Sequence, residues 1–355
     1  MNSFVADPEW GWWIIGYFFL GGIAAGAYFM ATMIDLVGNP EDRPLARVGY
    51  LIALPLIVIC GVFLTLDLHR PERFWHMLFR SEVVHEALAQ GWPTSGAGWK
   101  TMVHAPLLKY WSPMSAGSWA LTLFGLCSAL SLLGSFWPDG KLERIFRLSW
   151  FGRLVAVIGC FTGFFVASYT GALLTATNQP LWSDTVWIAP LFLTSAASTG
   201  LAMMMLLAWR RNVPPPSLDR LERANLWVLG LELAFFVIFL ASISSLLVPV
   251  LKSPHGLTLV IGTLLFGLLA PLAIHLRLGL FGNWGFGAAA VLALVGGFML
   301  RYGILTTPPA LLEHHPPVAA SFGPEDGRAR GGGAGGDPGN HPGEVKPPSK
   351  INGTR

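Results

Sequence analysis

The chain has 355 residues, 53% of them hydrophobic and only 12% charged, against about 25% charged in soluble domains. So few charges cannot cover so much apolar side chain in water, and a mean hydropathy of +0.54 places the protein in a membrane. A net charge of +3 without a basic run excludes nucleic acid as a partner.

A bilayer span needs about 20 mostly apolar residues. Eight runs qualify: Trp12–Val37, Val48–Leu68, Met114–Phe136, Phe151–Leu174, Val186–Trp209, Ala224–Leu251, Leu257–His275 and Trp284–Leu305. They are continuous rather than alternating, which excludes a transmembrane β-barrel. Asp7 and Glu9 precede the first run with no Lys or Arg, so the start does not read as a signal peptide. The fold class expected is all-α integral membrane, with about eight transmembrane helices arranged as two four-helix bundles. The two halves are suggested by a weak duplication. Small-residue faces occur at Gly22–Gly26 in helix one and Ala196–Gly200 in helix five. Tyr169-Thr170-Gly171 closes helix four as Arg301-Tyr302-Gly303 closes helix eight.

The loops on one side carry eleven Lys and Arg, the others six, most of those in one long loop. The basic side is the inner one, so both termini are expected outside, which is the periplasm if the source is a Gram-negative bacterium. Trp10, Trp12, Trp13, Trp182 and Trp187 then belong to the outer aromatic belt, and Trp150, Trp209 and Trp227 to the inner one. Residues 1–306 form the transmembrane domain, with a long outer loop at 67–113. Phe74–Leu88 in that loop reads as an interfacial amphipathic helix. The Gly- and Pro-rich tail, 307–355, cannot bury a core and reads as disordered.

Polar residues within spans are costly and are functional candidates. An outer layer holds Tyr17, Asp67, His69, Arg70, Tyr169, Asn178 and Arg301. An inner layer holds Asp35, Glu232, His275 and Arg277. Such an outer cluster suits an amphipathic two-oxygen ligand such as a quinone. Tyr and His can hydrogen-bond its carbonyls, and a carboxylate or imidazole can exchange its protons. Belt anchoring is the plainer explanation of the two tyrosines, and a solvated helix end that of Asp67 and Arg70. Glu232 reads either as a carboxylate bonded between helices or as a station in a proton path. Cys60, Cys127 and Cys160 lie in apolar stretches without CxxC spacing, so no iron–sulfur cluster or metal site is expected in this protein. Only His275 lies clearly within a span, which gives no histidine pair for haem.

The segments EWGWWIIGYFFLGGIAAGA (from Glu9), DLHRPERFWHML (Asp67–Leu78), SYTGALLTATNQPLW (Ser168–Trp182) and GGFMLRY (Gly296–Tyr302) resemble the NrfD/PsrC family. These are integral-membrane subunits of polysulfide reductase and related molybdopterin oxidoreductases. The resemblance covers roughly residues 9–306. It implies a subunit in the bacterial inner membrane without cofactors of its own. That subunit exchanges electrons between the quinone pool (menaquinone or ubiquinone) and a ferredoxin-like iron–sulfur subunit, with a molybdopterin catalytic subunit beyond it on the outer face. Tyr169 matches the family tyrosine implied to hydrogen-bond quinone. Tyr17 falls where the polysulfide reductase subunit has a histidine near the quinone, a departure that His69 could make good.

Asp67 matches a recurring carboxylate suited to exchanging the quinol proton. The expected site is therefore Asp67 and His69 for protons and Tyr169, Tyr17, Arg70 and Asn178 for the quinone. Asp35 and Glu232 are proton-path candidates, because related subunits are thought to couple quinol chemistry to proton movement. A transporter or ion channel, or a purely structural anchor, is the alternative.

Overall fold

The computed structural model describes residues 10–68, 70–104, 112–136, 140–210, 215–276 and 278–314, and among these no strand occurs. Among the described residues, eight helices are long and apolar enough to cross a membrane. They are α1 (Trp12–Val37), α2 (Arg43–Asp67), α3 (Pro113–Phe136), α4 (Trp150–Thr175), α5 (Ile188–Arg210), α6 (Pro215–Ser242), α7 (Pro254–Leu276) and α8 (Trp284–Pro309). Successive spans run in opposite directions, so the start of α1, the end of α2 and the end of α4 share one face, here the amino face.

The ends follow local chemistry. Ser149 caps α4 by accepting from Gly152 N at 3.0 Å, and Ser253 caps α7 by accepting from Gly256 N at 2.9 Å. Pro44 and Pro254 occupy the first turns of α2 and α7, where no backbone donor is needed. The backbone of α7 is π-helical over Thr258–Leu269. α8 lies within a continuous helix, Leu278–His314, that runs past Thr306 through Pro308 and Pro309.

Two boundaries depart from the hydropathy pattern. The run Ala224–Leu251 is not one span. α6 begins at Pro215, ends at Ser242, and a turn separates it from a short helix at Leu247–Lys252. The charged first turns of α6 project the helix beyond its apolar stretch, and the Ser242-Ile243-Ser244-Ser245 segment ends it. In the long loop, Phe74–Leu88 is likewise not one helix but two, Trp75–Leu78 and Ser81–Ala89, broken at Phe79-Arg80.

α1 packs on α2, α4, α5 and α8, and α5 packs on α1, α4, α6 and α8, so these two spans are the hub. Lipid tails are as apolar as leucine, so close packing rather than apolar burial must hold the helices together. The small-residue faces supply it by meeting each other. A Cβ on Gly26 would run into the Ala196 carbonyl, and one on Gly200 into the Gly26–Ala27 backbone. Large apolar side chains such as Val62, Leu126 and Phe161 remain exposed on the outside, where lipid would cover them. Trp12, Trp150 and Trp227 are exposed as belt residues should be. Trp182 is not: it is buried, stacks on Trp10 and donates its Nε1–H to the Ile304 carbonyl at 2.6 Å.

Candidate functional site

Tyr169 stands one and a half turns before the end of α4, half-buried, with its ring stacked on Phe165 at 5.4 Å. Two glycines make its position possible. Gly171 lets α4 approach the Ala189 backbone of α5, and Gly117 of α3 leaves room for the phenol ring. A Cβ at position 117 would sit 2.5 Å from Tyr169 Cε1. The hydroxyl donates to the Pro113 carbonyl at 2.6 Å. Its lone pairs remain free to accept, and donation elsewhere requires giving up that carbonyl.

Tyr17 of α1 is buried, within electrostatic reach of both Tyr169 and Cys60. The Cys60 thiol donates to the Tyr17 carbonyl at 3.7 Å. Three spans thus bring Tyr17, Cys60 and Tyr169 together near the amino face. Asp67 is the last residue of α2, half-buried, seven positions beyond Cys60. That spacing is two turns, about 10 Å, along one helix stripe. Arg70 is exposed just past the helix end. His69 lies outside the described residues. Asn178 is exposed in the turn after α4, with no hydrogen bond from its side chain among the described residues; its neighbour Gln179 turns inward instead.

An apolar groove of 410 Å³ runs between α2 and α3; its lining includes Gly61 and Ser118, the chain neighbours of Cys60 and Gly117, but neither tyrosine. Gly61, Val62 and Thr65 line one wall and Ser118, Leu121 and Thr122 the other, with Phe74 and Met77 above. The short helix carrying Met77 is pinned to α3 by Trp119, whose Nε1–H donates to the Leu78 carbonyl at 2.8 Å.

Arg301 and Glu232 do not lie in separate layers. Arg301 is fully buried, donating from Nε to the Phe18 carbonyl at 3.0 Å and from Nη1 to Gly297 O at 2.9 Å and Ser195 Oγ at 3.0 Å. Ser198, one turn on along α5, donates to the buried Glu232, which lies within electrostatic reach of Arg301. The guanidinium fits because Gly22 faces it: a Cβ there would be 2.5 Å from Nη2.

At the opposite face Asp35 is half-buried in an ion pair with Arg147, at 2.5 Å and 3.2 Å, and Glu143 pairs with the same guanidinium at 3.1 Å. Burial works against the Arg147 cation, but the Asp35 hydrogen bond and the two carboxylate charges outweigh it and raise its pKa. Tyr50 reaches Asp35, and Tyr28 bonds Ser131 at 2.8 Å deeper in. Asp35 lies 17 residues along α1 from Phe18, about 25 Å from the Arg301 cluster. His275 bonds Glu222 and Asn225 of α6, each at 3.1 Å. Arg277 lies outside the described residues.

Pattern reading did not connect Cys60 with the tyrosines, and it missed Pro113 and Gly117, which carry no distinctive side-chain chemistry. Ser195 and Ser198 were within reach of it, because their spacing puts two hydroxyls on one face of α5.

The profile of the family described as "Polysulphide reductase, NrfD" matches residues 4–311. A subunit of the tetrathionate reductase of Salmonella typhimurium is 28% identical over 241 residues, 65% of this chain and 58% of that protein. One from the polysulfide reductase of Wolinella succinogenes is 27% identical over 210 residues, 56% of this chain and 57% of that protein. One from the selenate reductase of Mesobacillus selenatarsenatis is 28% identical over 78 residues, 22% of this chain and 18% of that protein. The matched region therefore spans under three fifths of the length of each of these curated relatives.

Proposed function

As the chain belongs to the NrfD family, we propose that it is the quinone-reactive membrane subunit of a multisubunit oxidoreductase. The observation that carries this reading is the convergence of Tyr17 and Tyr169 near the amino face, with an apolar groove between α2 and α3 whose lining includes Gly61 and Ser118, the chain neighbours of Cys60 and Gly117. The headgroup sits against the half-buried Tyr169, with the buried Tyr17 behind it, and the isoprenoid tail lies in the groove. Oxidising a quinol releases two protons and two electrons. Tyr169 accepts from a quinol hydroxyl, or exchanges the Pro113 carbonyl for a quinone oxygen. Asp67, with His69, takes up the released protons at the amino face, and Arg70 and Asn178 border the headgroup there. The electrons leave for a ferredoxin-like iron–sulfur subunit docked on that face and pass on to a molybdopterin subunit. The three relatives are named as reductase subunits, which favours flow from quinol outward.

In this reading the amino face points out of the bacterial cytoplasmic membrane, as the loop charges suggest. Glu232, deep in the bundle, and Asp35, near the end of α1, are the proton-path residues.

The test is Tyr169→Phe in the purified complex. Quinol-dependent turnover falls about tenfold, the scale of one lost hydrogen bond to the headgroup. Turnover with a soluble electron donor that bypasses the membrane is unchanged. Unaltered quinol kinetics would remove Tyr169 from the site.

A further inference from the structure

The side chain of His275 is almost wholly buried at the opposite end of the bundle from the quinone site. Its Nδ1 is 3.1 Å from Glu222 Oε1, and its Nε2 is 3.1 Å from Asn225 Nδ2. An amide nitrogen can only donate, so Nε2 accepts and Nδ1–H donates to Glu222: a neutral imidazole. Asn225 is fully buried, and in this arrangement its Oδ1 has no hydrogen-bond partner. Oxygen and nitrogen of a carboxamide are nearly the same size. Turning it over would offer Oδ1 to Nε2, and Oδ1 can be used there only if Nε2 carries a proton.

We infer that Glu222, His275 and Asn225 form a proton-binding site, in which His275 takes the proton and Asn225 accommodates it by turning over. In the neutral state Asn225 donates to Nε2. In the cationic state both ring nitrogens donate, Nδ1–H to the Glu222 carboxylate and Nε2–H to Asn225 Oδ1. The proton comes from water. The cluster opens on a cavity of 480 Å³ lined by Asp219, Glu222, Arg223, Leu226 and His275.

Among the described residues, the charges facing the imidazole are those of Asp219, Glu222 and Arg223, all on α6. Among the described residues, α7 adds only His255 at its other end. The one charge of α8 within its span, Arg301, is bonded to Phe18 far along the bundle. Glu222 therefore balances the added charge. The two bonds of His275 are also the only side-chain hydrogen bonds from α7 to α6 among the described residues. Proton binding thus rewrites the polar tie between two spans, and α6 carries Glu232 two turns from Asn225 on the same face.

The experiment is 15N solid-state NMR of the full-length protein in lipid nanodiscs with labelled histidine. The His275 signals are identified as those lost in His275→Gln. They change from the neutral Nδ1–H form at about pH 9 to the cation at about pH 5. In Asn225→Leu, which has no oxygen to offer, the cation fraction at about pH 5 falls several-fold. In Asn225→Asp the cation persists to higher pH. A single form of His275 across that range would overturn the proposal, and so would variants that titrate like the wild type. No quinone and no partner protein is needed, so the result does not depend on the quinone reading.

Discussion

Arg301 reaches Glu232 through hydroxyls rather than by direct contact. Its Nη1 donates to Ser195 Oγ at 3.0 Å, and Ser198, one turn along the same helix, donates to the carboxylate. A cation and an anion are thereby held in the apolar interior by α1, α5, α6 and α8 together.

Removing the cation alone leaves the carboxylate without its counter-charge and takes away the guanidinium bonds to Ser195 Oγ and to the Phe18 and Gly297 carbonyls, which keep only their helical N–H donors. Arg301→Leu should lower stability by about 3–5 kcal/mol. This is seen as a depressed thermal unfolding midpoint in detergent. Adding Glu232→Leu should recover a large part of the loss. A double variant as unstable as the sum of the singles would show that the two residues act independently.

The crossing of α1 and α5 tolerates no side chain at its centre. Gly200→Leu would drive its Cβ into the Gly26–Ala27 backbone, which cannot yield as a flexible side chain does. The expected result is no folded, monodisperse protein on size-exclusion chromatography. Recovery of wild-type amounts would mean that the spans do not meet at this point.

Gly61 has no heavy atom within 4 Å of where a Cβ would stand, and it lines the groove between α2 and α3. Gly61→Leu should leave the unfolding midpoint nearly unchanged. On the proposed quinol reading it should raise the KM for a long-tailed quinol about tenfold, while a short-tailed analogue keeps its wild-type KM, because the groove would hold only the tail.

Asp35→Leu should cost about 3 kcal/mol, since Arg147 stays buried with only Glu143 beside it. Arg147→Met on the same background should restore part of that. Thermal unfolding of the single and double variants checks it, and equal losses in both would show that Asp35 has no bond with Arg147.

The eight spans were legible because an apolar run of sufficient length has few alternatives in a membrane. The misplacement of Glu232 shows where that reasoning stops. Hydropathy joined Leu246–Leu251 to the sixth run and set its start at Ala224, which put Glu232 two turns inside one end. α6 instead runs Pro215–Ser242, and Glu232 lies ten residues from its amino-face end. A serine-rich turn weighs little in a hydropathy window, yet it moves every later judgement of depth. The phenol pair was foreseen as separate candidates. That Tyr169 donates to Pro113 was not, because a backbone carbonyl 56 positions away leaves no trace in composition. The two small-residue faces were visible as repeats, but only packing reveals that each is the other's partner.

That partnership also sets a timetable for biogenesis. Gly26 leaves the ribosome about 170 residues before Gly200, which is roughly ten to thirty-five seconds at ordinary rates of synthesis. Throughout that interval the notched face of the first helix waits in the bilayer for a mate that has not been made. Whatever shields it meanwhile, whether α2 alone or the insertion machinery, must bind loosely enough to let go when α5 arrives.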